Sequence, residues 1–394
     1  MNIHIFIVTG QAQANLIPIL QLKPDLIVLA VSSSMAKQAD EFIKILKKTS
    51  RYQDKDILKI IDVPDVGIER ITDKALEIED ALQEKYPESC ISYHATGGTK
   101  LMTLGFYEVF RASKHTVLYC DMTHNEIETV YPEHQPALMI ESVLDIYSAL
   151  LSMGQTYRTS SDQSWEFRAD ERKELTKWLA THSEKLSGGF FGTLNGMVQK
   201  AIKRTKRGEV NKIEYPEQTF QFRLGKAWQA GLEKMNQHQV CQWDKNKVES
   251  IYFDSLGGAE YIGGQWLEEY VWHIAKDLQA AEVMANVEFA ESGALKDDIR
   301  NEMDCIILHN NRLLFIECKT ISFKKSVEKN TDIVYKLESL GHRAGGQFST
   351  KWLVSANEVD EPTKKRAQEY NIEIIEGKEL KNIRQRIQYW MQSG

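Results

Sequence analysis

Apolar and polar positions in the first third of the chain follow two alternating periodicities. Short runs that are apolar on both faces predict strands, and the stretches between them carry apolar residues at helical spacing. The predicted strands are Ile3–Val8, Leu26–Ser32, Ile57–Val63, Cys90–Tyr93 and Thr116–Cys120, and the clearest helices are Ile68–Lys85 and Lys100–Ala112. Strands buried on both faces are typical of a parallel sheet covered by helices. Residues 1–140 therefore predict a Rossmann-like α/β domain.

The turns after three of these strands are rich in small and polar residues. Ligands in such sheets bind at the carboxyl ends of the strands, so these turns form a candidate ligand site. Its residues are Thr9, Gly10, Gln11, Ser32, Ser33, Thr96, Gly97, Gly98, Thr99 and Lys100. Glycines in the last turn permit close approach of a ligand, and the helix N-terminus that follows attracts phosphate. The turn matches neither GxGxxG nor a Walker loop, which disfavours a dinucleotide redox cofactor. Glycines that serve tight packing alone are the alternative interpretation.

The middle of the chain predicts a connecting module at residues 141–255. A helical stretch near Ser142–Ser152 and a polar linker at Thr156–Asp162 precede mostly helical sequence. A hairpin follows, with strands Val240–Trp243 and Val248–Phe253, and the whole suggests a winged-helix-like shape. A basic run in this module indicates either a solvated helix end or a patch that contacts phosphates; it comprises Lys200, Lys203, Arg204, Lys206 and Arg207.

Residues 256–394 predict a second α/β domain that opens with a glycine-rich stretch. Its predicted elements are a helix near Gln265–Gln279, two strands, a helix near Thr331–Leu340, a strand at Lys351–Ser355 and a terminal helix. The two strands are joined by Asn310-Asn311, and asparagine tolerates positive φ, which predicts a two-residue hairpin turn. This turn pairs His309 with Arg312, and the same register places Asp304 opposite Glu317. Their Cβ atoms are then expected roughly 4.5–5.5 Å apart on one side of the sheet.

Two carboxylates at that separation repel each other unless a cation lies between them. Their neighbours along both strands are apolar, and a partly buried carboxylate pair is costly without a metal or another partner. Asp304 and Glu317 are therefore predicted ligands of Mg²⁺ or Mn²⁺, with the carbonyl of Cys318 completing the shell. Lys319 lies two residues beyond Glu317, on the same face, where it can orient the attacking water or stabilise charge on a phosphate. An ordinary hairpin with surface carboxylates is the alternative.

The helix before these strands offers a further carboxylate. At about 100° per residue, Glu268 lies at the edge of the apolar face, whereas Glu269 points away from it. Glu268 is therefore expected near the active site and Glu269 in solvent. Lys336, in the following predicted helix, is a candidate contact to the scissile phosphate.

Composition and charge narrow the class of protein. The chain is 42% hydrophobic and 27% charged, close to an ordinary globular protein, and its apolar runs fall short of the ~18 residues of a membrane span. Five scattered cysteines without a CxxC pair argue against a disulfide framework or a structural zinc site and indicate a cytoplasmic protein. Because the net charge is −7, binding to nucleic acid is expected to use local patches.

Asp304, Glu317-Cys318-Lys319 and Glu268 resemble the PD-(D/E)xK pattern of restriction-type nucleases. Met303 stands in place of the proline of that pattern, which many members also lack. Together with the N-terminal turns, the whole chain resembles the CARF-domain nucleases that accompany type III CRISPR systems. That architecture has a CARF domain at 1–140, a middle module at 141–255 and a PD-(D/E)xK nuclease domain at 256–394. Further segments that carry the resemblance are Gly264–Glu268, Tyr335–Leu340 and Gly345-Gly346.

The resemblance implies a homodimer that binds a cyclic oligoadenylate, usually cyclic tetra-adenylate, across its two-fold axis. Each subunit would supply Thr96–Lys100 and the segment Thr9–Gln13, which adds Gln13 to the ligand residues. Ligand binding would activate metal-dependent endonuclease cleavage of DNA, by cutting single strands or nicking, and some members also cut RNA. Two alternatives are a non-catalytic nucleotide-sensing DNA-binding regulator and an autonomous repair or restriction nuclease.

Overall fold

A computed structural model describes residues 1–186, 189–204, 210–291, 301–321, 323, 331–338 and 349–393. Lys206, Arg207 and Gly345-Gly346 lie outside these residues, as does the end of the predicted helix at Thr331–Leu340. The described chain forms two compact units, residues 1–156 and residues 157–393. The boundary proposed near residue 255 falls inside the second unit and stays a prediction.

The N-terminal unit contains a seven-stranded sheet in the order β3-β2-β1-β4-β5-β6-β7. The five strands β3, β2, β1, β4 and β5 are adjacent in the sheet and parallel to one another. Strand β6 pairs with β5 in the antiparallel direction, and β7 pairs with β6 in the same way. The strands are β1 Asn2–Ile7, β2 Leu26–Ala30, β3 Ile57–Ile60, β4 Cys90–His94, β5 Thr116–Asp121, β6 Glu126–Tyr131 and β7 Leu138–Met139. The helices are α1 Ala12–Leu22, α2 Ala36–Thr49, α3 Ile68–Lys85, α4 Lys100–Ala112 and α5 Ile146–Ser152.

Strand β1 explains why this sheet is parallel and buried. Its residues from Ile3 to Ile7 are all buried, because each face of the strand meets a layer of helices. Ile5 pairs with Val28 on one side and with Tyr93 on the other, so β1 is flanked by β2 and β4. The predicted Rossmann-like domain is confirmed, and the observed α3 and α4 have the predicted ends.

The C-terminal unit is built on a six-stranded sheet in the order β18-β17-β16-β15-β14-β8. Strands β14, β15 and β16 are antiparallel, whereas β17 and β18 join β16 in parallel. The strands are β8 Gln155–Thr159, β14 Glu282–Glu291, β15 Asn301–His309, β16 Arg312–Lys319, β17 Ser349–Ser355 and β18 Ile372–Glu376. The helices beside them are α10 Trp266–Asp277, α11 at 331–338, α12 Glu361–Glu369 and α13 Ile383–Gln392.

The middle of the chain belongs to the same compact unit. It comprises α6 Gln163–Thr181, α7 Phe190–Ala201 and α8 Lys226–Gln237, after which α9 Leu256–Glu260 and a π-helical turn Tyr261–Gln265 lead into α10. Two small antiparallel sheets complete it: β9 Ile202–Arg204 with β10 Val210–Ile213, and β11 Glu217–Thr219 with β13 Lys247–Tyr252 and β12 Gln242–Asp244. One hydrophobic core includes residues of both the middle segment and the final domain, such as Phe191 and Trp266, whose rings stack at 4.7 Å.

Three local expectations differ from the structure. The polar run Thr156–Asp162 is not simply a linker, because its first residues form edge strand β8, where polar side chains remain in contact with water. The hairpin turn at Asp244–Lys247 is tighter than expected, since Asp244 pairs with Lys247. Strands β14 and β18 were not predicted. No helix within the described ranges is both long and apolar enough to cross a bilayer.

Candidate active site and ligand-binding edge

The hairpin between β15 and β16 has the predicted turn and register. Asn310 and Asn311 both have positive φ, 48° and 60°, which is the geometry of a two-residue turn between twisted strands. Pairing runs from His309 with Arg312 back to Cys305 with Ile316. This register brings Asp304 and Glu317 to the same end of the ladder, as the sequence predicts.

The ammonium group of Lys319 lies close to three oxygen atoms at this end of the hairpin. The Nζ atom of Lys319 lies 2.6 Å from Oε1 of Glu317 and 3.4 Å from Oδ2 of Asp304. It also donates to the carbonyl oxygen of Cys318 at 3.0 Å. The backbone N–H of Cys318 donates to Oδ2 of Asp304 at 2.6 Å and fixes that carboxylate. Oxygen atoms of Asp304, Glu317 and Cys318 thus converge on one cationic point, the ammonium group of Lys319.

Burial makes these charges strongly interdependent. Asp304 and Glu317 expose only 8% and 2% of their surface. Burial raises the pKa of Asp304 to about 6, against the opposing effect of Lys319. Burial also works against ionisation of Glu317, but Lys319 and Lys336 outweigh it and hold the pKa of that carboxyl below its ordinary value. Glu317 is therefore the ionised carboxylate of the site.

Two further side chains reach the site from helices. Lys336 of α11 donates to both carboxylate oxygens of Glu317, at 3.0 and 2.9 Å. Glu268 of α10 has a pKa well above its usual range, first because its carboxyl is buried and second because Asp304 lies near it. The structure therefore brings Glu268 close to Asp304 and Glu317, and these three side chains are called the carboxylate cluster below. Lys336 contacts Glu317, and its contact to the scissile phosphate stays a prediction.

The expectation that Glu269 lies in solvent is wrong. Glu269 is fully buried and forms an ion pair with Arg172 of α6. The helical pattern correctly predicted that Glu269 points away from the sheet. The middle segment, however, covers the face of α10 on which Glu269 lies. Arg172 lies in α6, a helix for which the sequence indicated no functional residue. A charged residue at helical spacing carries no signal for a buried partner.

The donor set fits a hard divalent cation. Carboxylate and carbonyl oxygens are the ligands that Mg²⁺ and Mn²⁺ take, with waters and substrate phosphate filling the other positions. Asp304, Glu317 and the Cys318 carbonyl supply such oxygens around one point that already attracts positive charge. Across the described ranges, no group of three or more His, Cys, Asp or Glu side chains is arranged to enclose a metal ion. Because Mg²⁺ and Mn²⁺ usually keep several waters and bind substrate phosphate, these three oxygens would fill only part of the coordination shell.

The predicted ligand residues of the N-terminal unit lie at one edge of its sheet. Ile7 pairs with Ala30 and Phe6 with His94, so β1, β2 and β4 end level with one another. The turns that follow bring all the predicted residues to this edge. Exposed among them are Gly10, Gln11, Ser33, Gly98, Thr99 and Lys100; Thr9 and Thr96 are half-buried; and Gln13, Ser32 and Gly97 are buried.

Several of these residues stabilise the turn between β4 and α4. A Cβ atom at Gly97 would lie 2.1 Å from the carbonyl oxygen of Ile7, so this glycine permits the close packing of two strand ends. Gly98 has a φ of +86°, a conformation that glycine adopts without strain. The hydroxyl of Thr96 accepts from the N–H of Cys120 at 2.8 Å, and that of Thr99 caps α4 by accepting from Met102. These contacts hold the turn in shape and leave Lys100 exposed.

A histidine pair lies beneath this edge. His94, the last residue of β4, is fully buried, stacks on Phe6 at 4.1 Å and is 3.0 Å from the ring of His4. Burial lowers the pKa of His4 to about 4 and keeps that of His94 well below its usual value. Both rings are therefore neutral at pH 7. The sequence places His94 at the carboxyl end of a strand at this edge, but His4 was not predicted to meet it, because isolated histidines within apolar strands are common.

Comparison with known proteins agrees with the two units. Residues 3–148 match the family model described as the Card1 CARF domain, and residues 258–393 match the model described as the Card1-like endonuclease domain. No curated protein matches the sequence at a significant level.

Similar solved structures include protein VC1899 from Vibrio cholerae, with 20% identity, a TM-score of 0.81 and coverage of 100% of this chain and 98% of that one. Can2 from Sulfobacillus thermosulfidooxidans, in complex with cyclic tetra-adenylate, has 19% identity, a TM-score of 0.75 and 99% coverage of both chains. A type III CRISPR defence DNA nuclease activated by cyclic oligoadenylate has 13% identity and a TM-score of 0.52, over 90% of this chain and 45% of that one. At these identities the likeness concerns the fold.

A CARF domain followed by an endonuclease domain defines the class: this chain is a CARF-domain nuclease. More particularly, both of its matched domains are of the Card1 type, and the chain belongs with that family of CARF endonucleases.

Proposed function

We propose that this chain is a CRISPR ancillary nuclease that cyclic tetra-adenylate activates to hydrolyse phosphodiester bonds in DNA with Mn²⁺ or Mg²⁺. The observation that carries the catalytic part is the convergence of Asp304, Glu317 and the Cys318 carbonyl on one cationic point. The Card1 CARF match supports a cyclic oligoadenylate as activator, and the Can2 complex supports the tetra-adenylate. The nuclease of similar fold is described as acting on DNA, which supports DNA as substrate.

The chemistry follows from the charges of the site. Asp304, Glu317 and the Cys318 carbonyl would hold the metal, which lowers the pKa of bound water and polarises the scissile phosphate. Lys319 remains beside the same oxygens, where its ammonium orients the attacking water and stabilises negative charge on the phosphate. Glu268 has a raised pKa and stands near Asp304, so it can retain a proton close to the reacting atoms. Cys318 acts through its backbone, whose N–H also holds Asp304.

The activator would bind at the edge formed by the turns after β1, β2 and β4. Lys100 and the N-terminus of α4 supply positive charge for phosphates, and the exposed Gln11 and Ser33 supply hydrogen-bonding groups. Gln13 has a buried Nε2 atom without a hydrogen-bond partner within the described part of the chain, which leaves a donor for a ligand. Thr9, Gly10, Ser32 and the Thr96–Thr99 turn would shape the same surface.

A homodimer is part of this proposal, because a ring of four identical nucleotides suits two identical surfaces. Leu101 and Leu104 lie one and four residues after Lys100 on α4 and expose 43% and 59% of their surface. Exposed leucines next to the ligand edge are the kind of apolar surface that a second copy would cover. The ligand would then favour one arrangement of the dimer and so couple sensor to nuclease.

Two alternatives are less well supported. The buried carboxylate cluster in a Card1-like endonuclease domain argues against a non-catalytic regulator. The Card1 CARF domain argues against an autonomous repair nuclease.

One assay tests the proposal. The full chain is incubated with Mn²⁺ or Mg²⁺ and labelled single-stranded DNA, supercoiled plasmid or RNA, with and without cyclic oligoadenylates of each ring size. We expect cleavage of DNA only when both metal and cyclic tetra-adenylate are present, and Glu317→Gln should remove cleavage while activator binding persists. Equal cleavage without the ligand would refute the sensor role, and no cleavage under any condition would refute the enzyme. The RNA arm decides whether RNA is a second substrate.

A further inference from the structure

A buried ion pair joins α6 of the middle segment to the catalytic helix α10. Arg172 of α6 donates through Nη2 to Oε1 of Glu269, and their side chains expose only 11% and 0% of their surface. The other Nη of Arg172 lies 3.4 Å from the carbonyl oxygen of Gly257. Its guanidinium also covers the ring of Tyr261 at 4.6 Å from the centroid. One planar group thus contacts α9, the π-helical turn and α10.

The carboxylate of Glu269 has a second partner on the same helix α6. Its Oε2 accepts from the hydroxyl of Thr176 at 3.4 Å, and that hydroxyl also lies 2.9 Å from the hydroxyl of Tyr261. Both oxygens of Glu269 are therefore held from α6. Because successive residues of a helix are separated by only about 1.5 Å along its axis, a fixed Glu269 also fixes its neighbour Glu268.

A second contact from the middle segment reaches the strand that carries Lys319. The side-chain amide of Asn195, in α7, donates to the carbonyl of Gly263 in the π-helical turn and lies 3.3 Å from the hydroxyl of Thr320. Thr320 itself donates to the Gly263 carbonyl at 3.1 Å. Thr320 follows Lys319 directly, and the Gly263 turn leads into α10. Asn195 therefore ties the end of β16 to the start of the helix that presents Glu268.

We propose that Arg172 and Asn195 are positioning residues, through which the middle segment sets the place of Glu268 relative to Asp304 and Lys319. This inference rests on the nuclease activity of the site and assigns a role to the middle segment. A buried ion pair is a poor source of net stability, because desolvation offsets the attraction between the charges. A role in positioning accounts for the pair better than stability does, since a displacement of about 1 Å at an active site can lower the rate roughly 100-fold.

The chain contains a matched control for the ion pair. Lys173, the next residue of α6, pairs with Asp277 at the far end of α10, at 2.9 Å, and both side chains are about 40% exposed. This pair joins the same two helices but lies two and a half turns from Glu268. If any contact between α6 and α10 sufficed, Lys173→Ala would act like a change at Arg172.

The test compares the double variant Arg172→Met/Glu269→Leu with Asn195→Leu, Lys173→Ala and the wild type. The double variant leaves no unpaired charge, and Thr176 keeps Tyr261 as its partner, so the unit should still fold. All eight tryptophans lie in residues 157–393, so thermal unfolding followed by tryptophan fluorescence reports on this unit. We expect kcat to fall roughly 10- to 100-fold in the double variant and in Asn195→Leu, with KM and activator affinity nearly unchanged. Lys173→Ala should retain wild-type kcat.

A second readout does not depend on cleavage. Hydrogen exchange of the α10 amides should be faster in the double variant than in Lys173→Ala. Wild-type kcat in the folded double variant, an equal loss in Lys173→Ala, or unchanged α10 exchange would each overturn the proposal. Should the double variant fail to fold, Arg172→Lys replaces it: it keeps the charge but lacks the planar fork, and we expect the same loss of kcat. A wild type inactive under every condition would refute the proposed function, whereas the exchange measurement would still test the positioning.

Discussion

Lys336 offers a sharp test of how the carboxylate cluster binds metal. Its ammonium donates to both oxygens of Glu317, at 3.0 and 2.9 Å, and so competes with a metal for that carboxylate. Two unit charges 2.9 Å apart attract each other by about 1.4 kcal/mol at the dielectric constant of water. The Lys336 side chain is 36% exposed, so solvent screens the pair and the value at the dielectric constant of water is the one to use. About 1.4 kcal/mol corresponds to a tenfold change in a binding constant.

We therefore expect Lys336→Met to bind Mn²⁺ about tenfold more tightly than the wild type in the absence of nucleic acid. Cleavage should change in the opposite direction. Once metal holds Glu317, Lys336 is free to stabilise charge on the phosphate, and loss of one such group lowers kcat roughly 100-fold. Isothermal titration calorimetry measures the first quantity, and cleavage of labelled single-stranded DNA at saturating metal and activator measures the second.

Lys364→Met is the matched control. Lys364 is 34% exposed and pairs with Glu376 at 2.7 Å, in the same unit but outside the carboxylate cluster. It should leave both metal affinity and kcat at wild-type values. Unchanged or weaker Mn²⁺ binding in Lys336→Met would refute the idea that Lys336 competes with metal for Glu317.

Three predictions concern the ligand edge. Lys100→Ala should weaken binding of cyclic tetra-adenylate, measured by calorimetry, without lowering the melting temperature, because Lys100 is exposed; unaltered affinity would contradict its role. Gly97→Ala should destabilise the N-terminal unit by roughly 1–3 kcal/mol, since its Cβ would meet the Ile7 carbonyl at 2.1 Å, and hydrogen exchange of β1 would show it. The pKa of His4 is about 4 in the fold and 6.5 in the unfolded chain, so its stabilising effect is complete above pH 6.5 and is lost as pH falls towards 4. Between these pH values the N-terminal unit should lose roughly 3 kcal/mol more than a His4→Gln variant, as followed by β1 exchange.

Local sequence was enough to predict the elements that depend on neighbouring residues. Two asparagines at a strand boundary determine a hairpin turn, and because side chains alternate along a strand, that turn is sufficient to place Asp304 and Glu317 on one face. Helices α3 and α4 carry clear apolar stripes and have the predicted ends. Strand β14 was missed although Ala285, Val287 and Phe289 alternate in the manner of a half-buried strand. Its signal was present, whereas the short β18 gave little.

Tertiary packing decided what no local pattern contains. The helical wheel placed Glu269 away from the sheet, but only the packing of α6 determined that Arg172 meets it in the interior. The same holds for Asn195 with Thr320 and for Lys336 with Glu317, which are 125 and 19 residues apart in the chain. Helical and strand periodicity report which face of an element is apolar. The pattern is the same whether a polar residue on the other face contacts water or a buried charge. The sequence by itself therefore determined the carboxylate hairpin and the two α/β domains, while the structure alone decided which distant side chains hold that hairpin and its helix in place.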